Sequence, residues 1–266
     1  MSKPDIPAEA VILAAGMGSR LKPLTDTRPK PLVEVNGVPI IHNALEQLGA
    51  AGVRRATIVV GYRKDAIEYA CGSSFAGVAI DYVASTVFDR TGSAYSLWLA
   101  REALLRGDVL LLEGDVFFEA EVLRKLLRSE AANSAAVAPF TPEMEGSAVT
   151  LSDLGLIVEV RTSQTAANLS GAASPLFKTM NLFRFNAQAL AGRIVPALDE
   201  LVRGGSTKAY TEQLLGQLIA DKGLKVTAVR CDECRWYEID SRDDLKIAEA
   251  MFAPGQKESR RELVGP

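Results

Sequence analysis

A glycine-led, basic segment follows the first apolar run of the chain. The apolar residues 10–14 lead into Gly16 and Gly18, and residues 20–30 then hold four cations against one acid. The cations are Arg20, Lys22, Arg28 and Lys30, and the acid is Asp26. Backbone N–H groups bared by glycine, followed by basic side chains, are typical of phosphate sites. The segment therefore predicts a triphosphate loop, although a dinucleotide loop would need a third glycine where Leu21 stands.

Acidic residues collect at the ends of two apolar segments. Residues 108–121 contain five acids and no base, and Asp115 among them follows the apolar residues 109–112. Asp240 follows the strand-like residues 236–239, which are apolar except for Glu238, and precedes a helical pattern. A carboxylate at a strand end can bind a hard cation such as Mg2+, or it can cap a helix or simply face solvent. The residues alone leave these alternatives open.

Strands and helices must position these basic and acidic residues. In the first half, strand-length apolar runs at 10–14, 56–60, 78–83 and 109–112 alternate with helix-period segments at 40–51, 93–105 and 119–129. Such alternation predicts βαβ units, a mostly parallel sheet flanked by helices, and ligands bound beyond the carboxyl ends of the strands.

The second half is less regular and predicts antiparallel additions to the sheet. The expected strands are 135–139, 149–151, 156–161, 179–185, 225–229 and 236–239, and the expected helices are 187–203, 208–222 and one capped by Ser241. Residues 164–174 read as a loop. The prediction is one α/β domain over residues 1–253, with a Rossmann-like mixed sheet and a polar tail at 254–266.

Composition excludes several classes of protein. The 266 residues are 48% hydrophobic and carry a net charge of −3, which argues against a dedicated nucleic-acid binder. One histidine, His42, excludes sites built on several histidines. Three cysteines indicate reduced thiols, and Cys231 and Cys234 are interpreted as half-buried thiols rather than a zinc half-site or a redox pair. With no targeting or membrane-spanning segment evident, we expect a cytoplasmic protein.

The segment from Gly16 to Leu32 resembles the signature of the sugar-phosphate nucleotidyltransferase superfamily, G-x-G-x-R-L-x-P-L-T followed by P-K-P-L. The similarity continues at 35–40, 60–62, 113–115 and 237–240, so it covers nearly the whole chain. It implies a fold of the GT-A type and attack by an acceptor oxygen on the α-phosphorus of a nucleoside triphosphate, with release of pyrophosphate.

The resemblance also implies roles for individual residues. The implied catalytic residues are Arg20, on the β- and γ-phosphates, and Lys30, on the α-phosphate. Asp115 and Asp240 match the pair of acids that binds Mg2+ in the family. The implied triphosphate-wrapping backbone is that of Ala14, Ala15, Gly16, Met17 and Gly18.

Residues 89–98 bear on the nucleotide. Thr91, Gly92 and Ser93 resemble the cytidylyltransferases for phosphocholine and small aminoalkylphosphonates, which implies CTP, with Gly61 and Tyr62 near the nucleoside. The same residues could simply cap a helix.

The resemblance places Lys178 on the phosphate or phosphonate of the acceptor, with Asn181 beside it. Trp236 and Tyr237 could cage a quaternary ammonium, Glu143 and Glu145 are alternative partners for an acceptor amine, and Glu238 could join the site. A surface lysine and core aromatic residues are the alternative interpretations.

Two alternative functions remain open at this stage. One is a sugar-1-phosphate nucleotidyltransferase that uses UTP, dTTP or GTP. The other is a catalytically silent subunit that binds nucleotide without turnover, which the joint presence of Arg20, Lys30, Asp115 and Asp240 argues against. The acceptor, the pathway and the oligomeric state, including a homodimer, are not determined by the sequence.

Overall fold

A mixed β-sheet forms the centre of the protein. The computed structural model describes residues 6–7, 9–169 and 174–255, and within these residues ten strands join in one sheet. The strands in chain order are β1 (Glu9–Ala14), β2 (Glu34–Val35), β3 (Val38–Pro39), β4 (Arg55–Val60), β5 (Ser74–Phe75), β6 (Val78–Ala84), β7 (Val109–Glu113), β8 (Val116–Phe118), β9 (Ser134–Pro139), β10 (Gly146–Leu151), β11 (Ile157–Gln164), β12 (Phe177–Phe185), β13 (Thr227–Arg230) and β14 (Trp236–Glu238).

Helices cover both faces of this sheet. They are α1 (Leu24–Thr27), α2 (Ile40–Ala51), α3 (Lys64–Cys71), α4 (Ser93–Leu99), α5 (Arg101–Leu104), α6 (Ala120–Arg128), α7 (Ala166–Leu169), α8 (Ala187–Ala189), α9 (Val195–Arg203), α10 (Thr211–Lys222) and α11 (Arg242–Met251). Short 3-10 turns lie at Ser19–Leu21 and Lys30–Leu32, and a π-helical turn at Leu190–Ile194 joins α8 to α9.

The predicted mixed sheet with antiparallel additions is confirmed. β1 pairs in parallel with both β4 and β7, and β6 extends the parallel part next to β4. β12 runs antiparallel to β7, and the β10–β11 hairpin continues the sheet beyond it. The carboxyl ends of β1, β4 and β7 therefore meet at one edge, where a ligand can be held by three segments at once.

The core explains why β1 reads as an unbroken apolar run. Ile12 packs on one face of the sheet with the α2 residues Ile41 and Leu45, whereas Val11 packs on the other face with Leu97 of α4. A strand covered by helices on both faces has no solvent-facing side, so its sequence shows no alternation.

Some predicted boundaries were wrong for identifiable reasons. The segment 93–105 forms two helices because the chain turns at Ala100, and α3 was missed because only Ile67 and Cys71 of its side chains are buried. Helix α10 begins at Thr211 rather than 208, since residues 207–209 bond instead to the backbone of residues 92–94. The predicted loop 164–174 contains the short helix α7, and its residues 170–173 lie outside the described part, as do 256–266 of the predicted tail.

Cys231 and Cys234 are more deeply buried than the sequence predicted, and Cys71 is buried as well. Cys71, Cys231 and Cys234 are free and each is at most 6% exposed. Burial raises the pKa of Cys71 to about 12, and burial together with the Cys234 thiol raises the pKa of Cys231 to about 12. No helix in the described part of the chain is long and apolar enough to cross a membrane.

Because the three thiols are buried, we expect them to react slowly with thiol reagents in the native protein. A pKa of about 12 leaves roughly one thiol in ten thousand ionised at pH 8, and the thiolate is the reactive form. We expect reaction with a chromogenic disulfide reagent to be at least ~100-fold slower in the native protein than in guanidinium, where thiol pKa values are ordinary. Rapid reaction of even one equivalent in the native state would contradict the burial of these groups.

Candidate active site

One lysine joins the two predicted acids at the carboxyl edge of the sheet. The Nζ atom of Lys30 lies 2.9 Å from Oδ2 of Asp115 and 2.5 Å from Oδ1 of Asp240. Lys30 begins the 3-10 turn after Pro29, while Asp115 follows β7 and Asp240 follows β14. Although burial opposes the charge, the two carboxylates raise the pKa of Lys30 above its usual value. The predicted cation and the predicted acids therefore form one cluster.

Arg20 holds the outer side of the same cluster. Its guanidinium lies 2.9 Å from Oδ2 of Asp240 and is 65% exposed. Burial opposes ionisation of Asp240, but Lys30 and then Arg20 hold the pKa of this carboxyl below its usual range. Asp240 is thus paired with the exposed Arg20 and with the more buried Lys30.

The glycine loop is held against Lys30 by close contacts. Gly18 has φ of 61°, and a Cβ atom there would lie 2.7 Å from Cβ of Lys30. Thr25 donates a hydrogen bond from its hydroxyl to the Gly18 carbonyl oxygen at 2.8 Å. Tyr62 supports the loop from behind, since its backbone N–H donates to Ala15 and its hydroxyl donates to Thr25. Both the left-handed backbone and the lack of space require glycine at 18.

The predicted nucleobase segment is fixed to the start of α10. A Cβ atom at Gly92 would lie 2.2 Å from the Ala209 carbonyl oxygen, so the two backbones touch. The Ser93 hydroxyl accepts hydrogen bonds from the backbone N–H and the hydroxyl of Thr211, at 2.9 and 3.0 Å. Thr91 donates its hydroxyl to the Val87 carbonyl oxygen. These contacts position the segment, and the start of α10 with it, beside the cavity.

A second ion pair lies deeper in the site. Lys178, whose side chain is 3% exposed, pairs with Oε2 of Glu238, and Asn181 donates to Oε1 of the same carboxylate at 3.0 Å. Asn181 has φ of 53° and lies where β12 changes register against β9. Burial raises the pKa of Glu238 to about 7 against the opposing charge of Lys178, and Asp115 adds to the rise. Both oxygens of Glu238 are thus held by side chains of β12.

Two further glutamates face this ion pair. Burial, followed by the charges of Glu212 and Asp115, raises the pKa of Glu113 well above its usual value. Ser147 donates its hydroxyl to Oε1 of Glu212 at 2.9 Å, and Oε2 of Glu212 is buried without a hydrogen-bond partner. Glu113, Glu212 and Glu238 together form an acidic wall of the cavity. Three carboxyl groups thus face one ammonium, that of Lys178, and burial favours the neutral form of Glu113.

These groups line one cavity of about 690 Å³. Of the predicted site residues, the lining includes Ala14, Ala15, Gly16, Gly18, Arg20, Lys30, Thr91, Gly92, Ser93, Asp115, Glu238 and Asp240. The other predicted residues lie behind or beside this lining: Met17, Gly61, Tyr62, Lys178, Asn181 and Trp236.

Trp236 needs a correction. It is 5% exposed, belongs to the apolar core with Phe118, and pairs with Phe118 across β8 and β14. A ring packed in this way has no face left for an ammonium ion, so the core interpretation of Trp236 replaces the aromatic contact.

The sequence analysis missed part of the cavity. Glu212, Ser147 and Tyr210 line it but come from α10, β10 and the chain before α10. No local pattern marks them, because only the packing of α10 against β11 and α4 brings them to the site. Gly114 had a signal in the motif at 113–115, and a Cβ there would lie 2.8 Å from the Leu13 carbonyl oxygen.

The acids fit the divalent cation that the resemblance implies. Oδ1 of Asp115 is buried without a hydrogen-bond partner, and the other oxygen already faces a cation, the Lys30 ammonium. No group of three or more His, Cys, Asp or Glu side chains within the described residues is arranged to hold a metal ion. Asp115 and Asp240 are hard oxygen ligands of the kind that Mg2+ takes one or two of while phosphate and water supply the rest.

The buried Lys178–Glu238 pair predicts a measurable stability effect. Lys178→Met leaves an uncompensated carboxylate, and we expect the free energy of unfolding to fall by about 3 kcal/mol. Lys178→Met/Glu238→Gln removes both charges and should recover a large part of that loss. Lys222→Met breaks an exposed pair with Glu200 and should cost less than about 1 kcal/mol. Urea unfolding at pH 8 measures all three, and equal losses in the single and double variants would contradict the pairing.

Known proteins are similar to this chain in sequence and in fold. A CMP-5'-(3-aminopropyl)phosphonate synthase from Streptomyces rubellomurinus is 35% identical over 97% of this chain, which spans 41% of that protein's length. A 2-aminoethylphosphonate cytidylyltransferase from Lancefieldella rimae is 38% identical over 42% of this chain and 44% of that protein. The solved structure of the inositol-1-phosphate CTP transferase from T. maritima superimposes with a TM-score of 0.74 at 23% identity, covering 94% of this chain and 96% of that one, and so shares the fold.

The family profile described as "Nucleotidyl transferase" matches residues 9–148, which is more than half of the chain. This part carries the glycine loop, Arg20, Lys30 and Asp115. The chain belongs to the nucleotidyl transferase family.

Proposed function

We propose that this protein transfers CMP from CTP to a small phosphonate or phosphate that carries an amine, with release of pyrophosphate. The observation that carries the proposal is the set of charged groups that lines one cavity of about 690 Å³. The lining combines Arg20 of the basic segment, the acidic wall, and Lys30 paired with Asp115 and Asp240. The names of the Streptomyces relative, of whose length this chain spans 41%, and of the Lancefieldella relative, which is matched over 44% of its length, support an aminoalkylphosphonate as the acceptor.

The basic segment is suited to the triphosphate. Arg20 presents a planar guanidinium to the β- and γ-phosphates, where two parallel hydrogen bonds can form. Lys30 is the cation nearest the acids and would neutralise charge that develops on the α-phosphate. An acceptor oxygen attacks the α-phosphorus, and the bond from that phosphorus to the bridging oxygen of the β-phosphate breaks. Both electrons of the broken bond leave with pyrophosphate.

Asp115 and Asp240 would hold the divalent cation, Mg2+, which when bound neutralises phosphate charge and aligns the oxygens of donor and acceptor. No side chain is needed to remove a proton, because a phosphate or phosphonate acceptor already carries an ionised oxygen near pH 7. The position of His42 is consistent with this, because its ring stacks on that of Phe75, with centroids 4.2 Å apart, and does not line the cavity. Positioning and charge neutralisation then carry the reaction.

Lys178 and the acidic wall are suited to a zwitterionic acceptor. Lys178 is the buried cation nearest the acidic wall and can attract the acceptor's anionic group, while Glu212 holds a buried oxygen without a partner. A primary ammonium would give that oxygen a charged donor. The hydroxyl groups of a hexose phosphate could also donate to it, but they are uncharged and form the weaker hydrogen bond, which favours an amine-bearing acceptor over a sugar phosphate.

Turnover with a panel of nucleotides and acceptors tests the proposed reaction. We expect pyrophosphate release with CTP and 2-aminoethylphosphonate, 3-aminopropylphosphonate or phosphocholine, and at least ~10-fold less with UTP, dTTP or GTP. Lys30→Ala and Asp115→Ala should each lower kcat at least ~100-fold, as for other charge-stabilising groups. Lys64→Ala, which removes an exposed lysine outside the cavity, should retain activity.

Three outcomes would contradict the proposal. Release with hexose-1-phosphates alone would show a sugar-phosphate enzyme, and nucleotide binding without release under any acceptor would show a silent subunit. Wild-type kcat in Lys30→Ala or Asp115→Ala would remove these residues from the mechanism.

A separate variant tests the acidic wall. Glu212→Gln keeps the hydrogen bond from Ser147 but removes the charge, so KM for 2-aminoethylphosphonate should rise about tenfold or more, the loss expected for one charged hydrogen bond. KM for ethylphosphonate, which lacks the amine, should stay unchanged. Glu200→Gln on α9 serves as the control, because Glu200 is exposed and outside the site cavity. Equal changes for the two acceptors would show that Glu212 does not contact the amine.

A further inference from the structure

The Lys30 ammonium occupies the space between the two carboxylates that would hold a divalent cation. We propose that Lys30 is a resident counter-ion: it keeps Asp115 and Asp240 paired until nucleotide phosphates attract it away, so the two acids bind a divalent cation strongly only together with nucleotide. This inference rests on the proposed function for the nature of the nucleotide, but not for the metal binding itself.

Distance makes the two cations alternatives. Lys30 donates to Oδ2 of Asp115 at 2.9 Å and to Oδ1 of Asp240 at 2.5 Å, so each carboxylate commits one oxygen to it. Arg20 pairs with the second oxygen of Asp240. A magnesium ion needs oxygen ligands at about 2.0–2.1 Å, closer than the ammonium. An ion that bridges these same two oxygens would lie where the ammonium now lies, so it must displace Lys30 from them.

Charge makes the displacement costly when no nucleotide is present. The Lys30 side chain is 12% exposed, and burial disfavours an ammonium that has lost its partners. The two acids are the anions that pair with the Lys30 ammonium, so it must find another anion when it leaves them. In the acidic wall, Glu238 is already paired with Lys178.

Nucleotide phosphates provide that anion at a short distance. The Lys30 side chain starts next to the glycine loop, since a Cβ atom at Gly18 would lie 2.7 Å from the Lys30 Cβ atom. Its backbone is fixed by the Val33 N–H, which donates to the Lys30 carbonyl oxygen at 2.9 Å. The side chain can therefore change partners by rotation alone. By linkage, nucleotide must then raise metal affinity by the same factor as metal raises nucleotide affinity.

Manganese binding to the nucleotide-free protein tests this inference. Electron paramagnetic resonance of free Mn2+ measures the affinity without turnover, so a failed CTP assay would not affect the result. Wild type should show no saturable site below about 1 mM Mn2+. Lys30→Met and Lys30→Gln should each bind one Mn2+ at least tenfold more tightly than wild type, and adding Asp115→Asn to either should abolish that gain.

Arg20→Met is the matched control, because it removes one positive charge from the same Asp240 carboxylate. Arg20 is 65% exposed, and its removal leaves the Lys30 ammonium between the two acids. The Arg20→Met substitution should therefore change Mn2+ affinity less than threefold. Equal gains in the Arg20 and Lys30 variants would overturn the proposal, since general charge would then explain both. Tight Mn2+ binding to wild type without nucleotide would overturn it as well. Circular dichroism melts confirm that each variant is folded, and Lys30→Gln keeps a polar group if Lys30→Met is unstable.

Discussion

The hydrogen bonds from Lys30 to Asp115 and Asp240 join parts of the chain that are 85 and 210 residues apart. The lysine comes from the loop between β1 and α2, one acid follows the central strand β7, and the other precedes the last helix α11. Because the cluster is partly buried, each of the three segments must lie in its observed place or leave a charge unpaired. The rest of the cavity is arranged around this point.

Backbone pairing brings the two acids together independently of their side chains. β8 and β14 form a small antiparallel sheet, with Val116 opposite Glu238, and the Ile239 N–H donates to the Asp115 carbonyl oxygen at 2.9 Å. The register places two like charges side by side, which is unfavourable unless a cation lies between them. A lysine from the glycine loop meets that need, so the phosphate loop and the acid pair stabilise each other.

How much could be predicted from the sequence depends on the range over which each feature is determined. Short motifs and apolar strands were enough to predict which residues meet at the sheet edge. These are the glycine loop, Arg20, Lys30 and the acids after β7 and β14. Lys178 could not be placed in a buried ion pair, since its partner Glu238 is 60 positions away and a lone lysine most often faces solvent. Glu212 had no signal, because its position follows from the packing of α10.

The net charge of −3 conceals several ion pairs inside the site: Lys30 with two aspartates, Arg20 with one of them, and Lys178 with Glu238. Under the proposed function, a triphosphate and a zwitterion would exchange partners with these groups instead of burying new unpaired charges. Each exchange recovers interaction energy that the incoming ligand would otherwise have to supply. A ligand that presents only one of the required charges leaves part of the site unpaired, so the paired resting state itself discriminates among ligands.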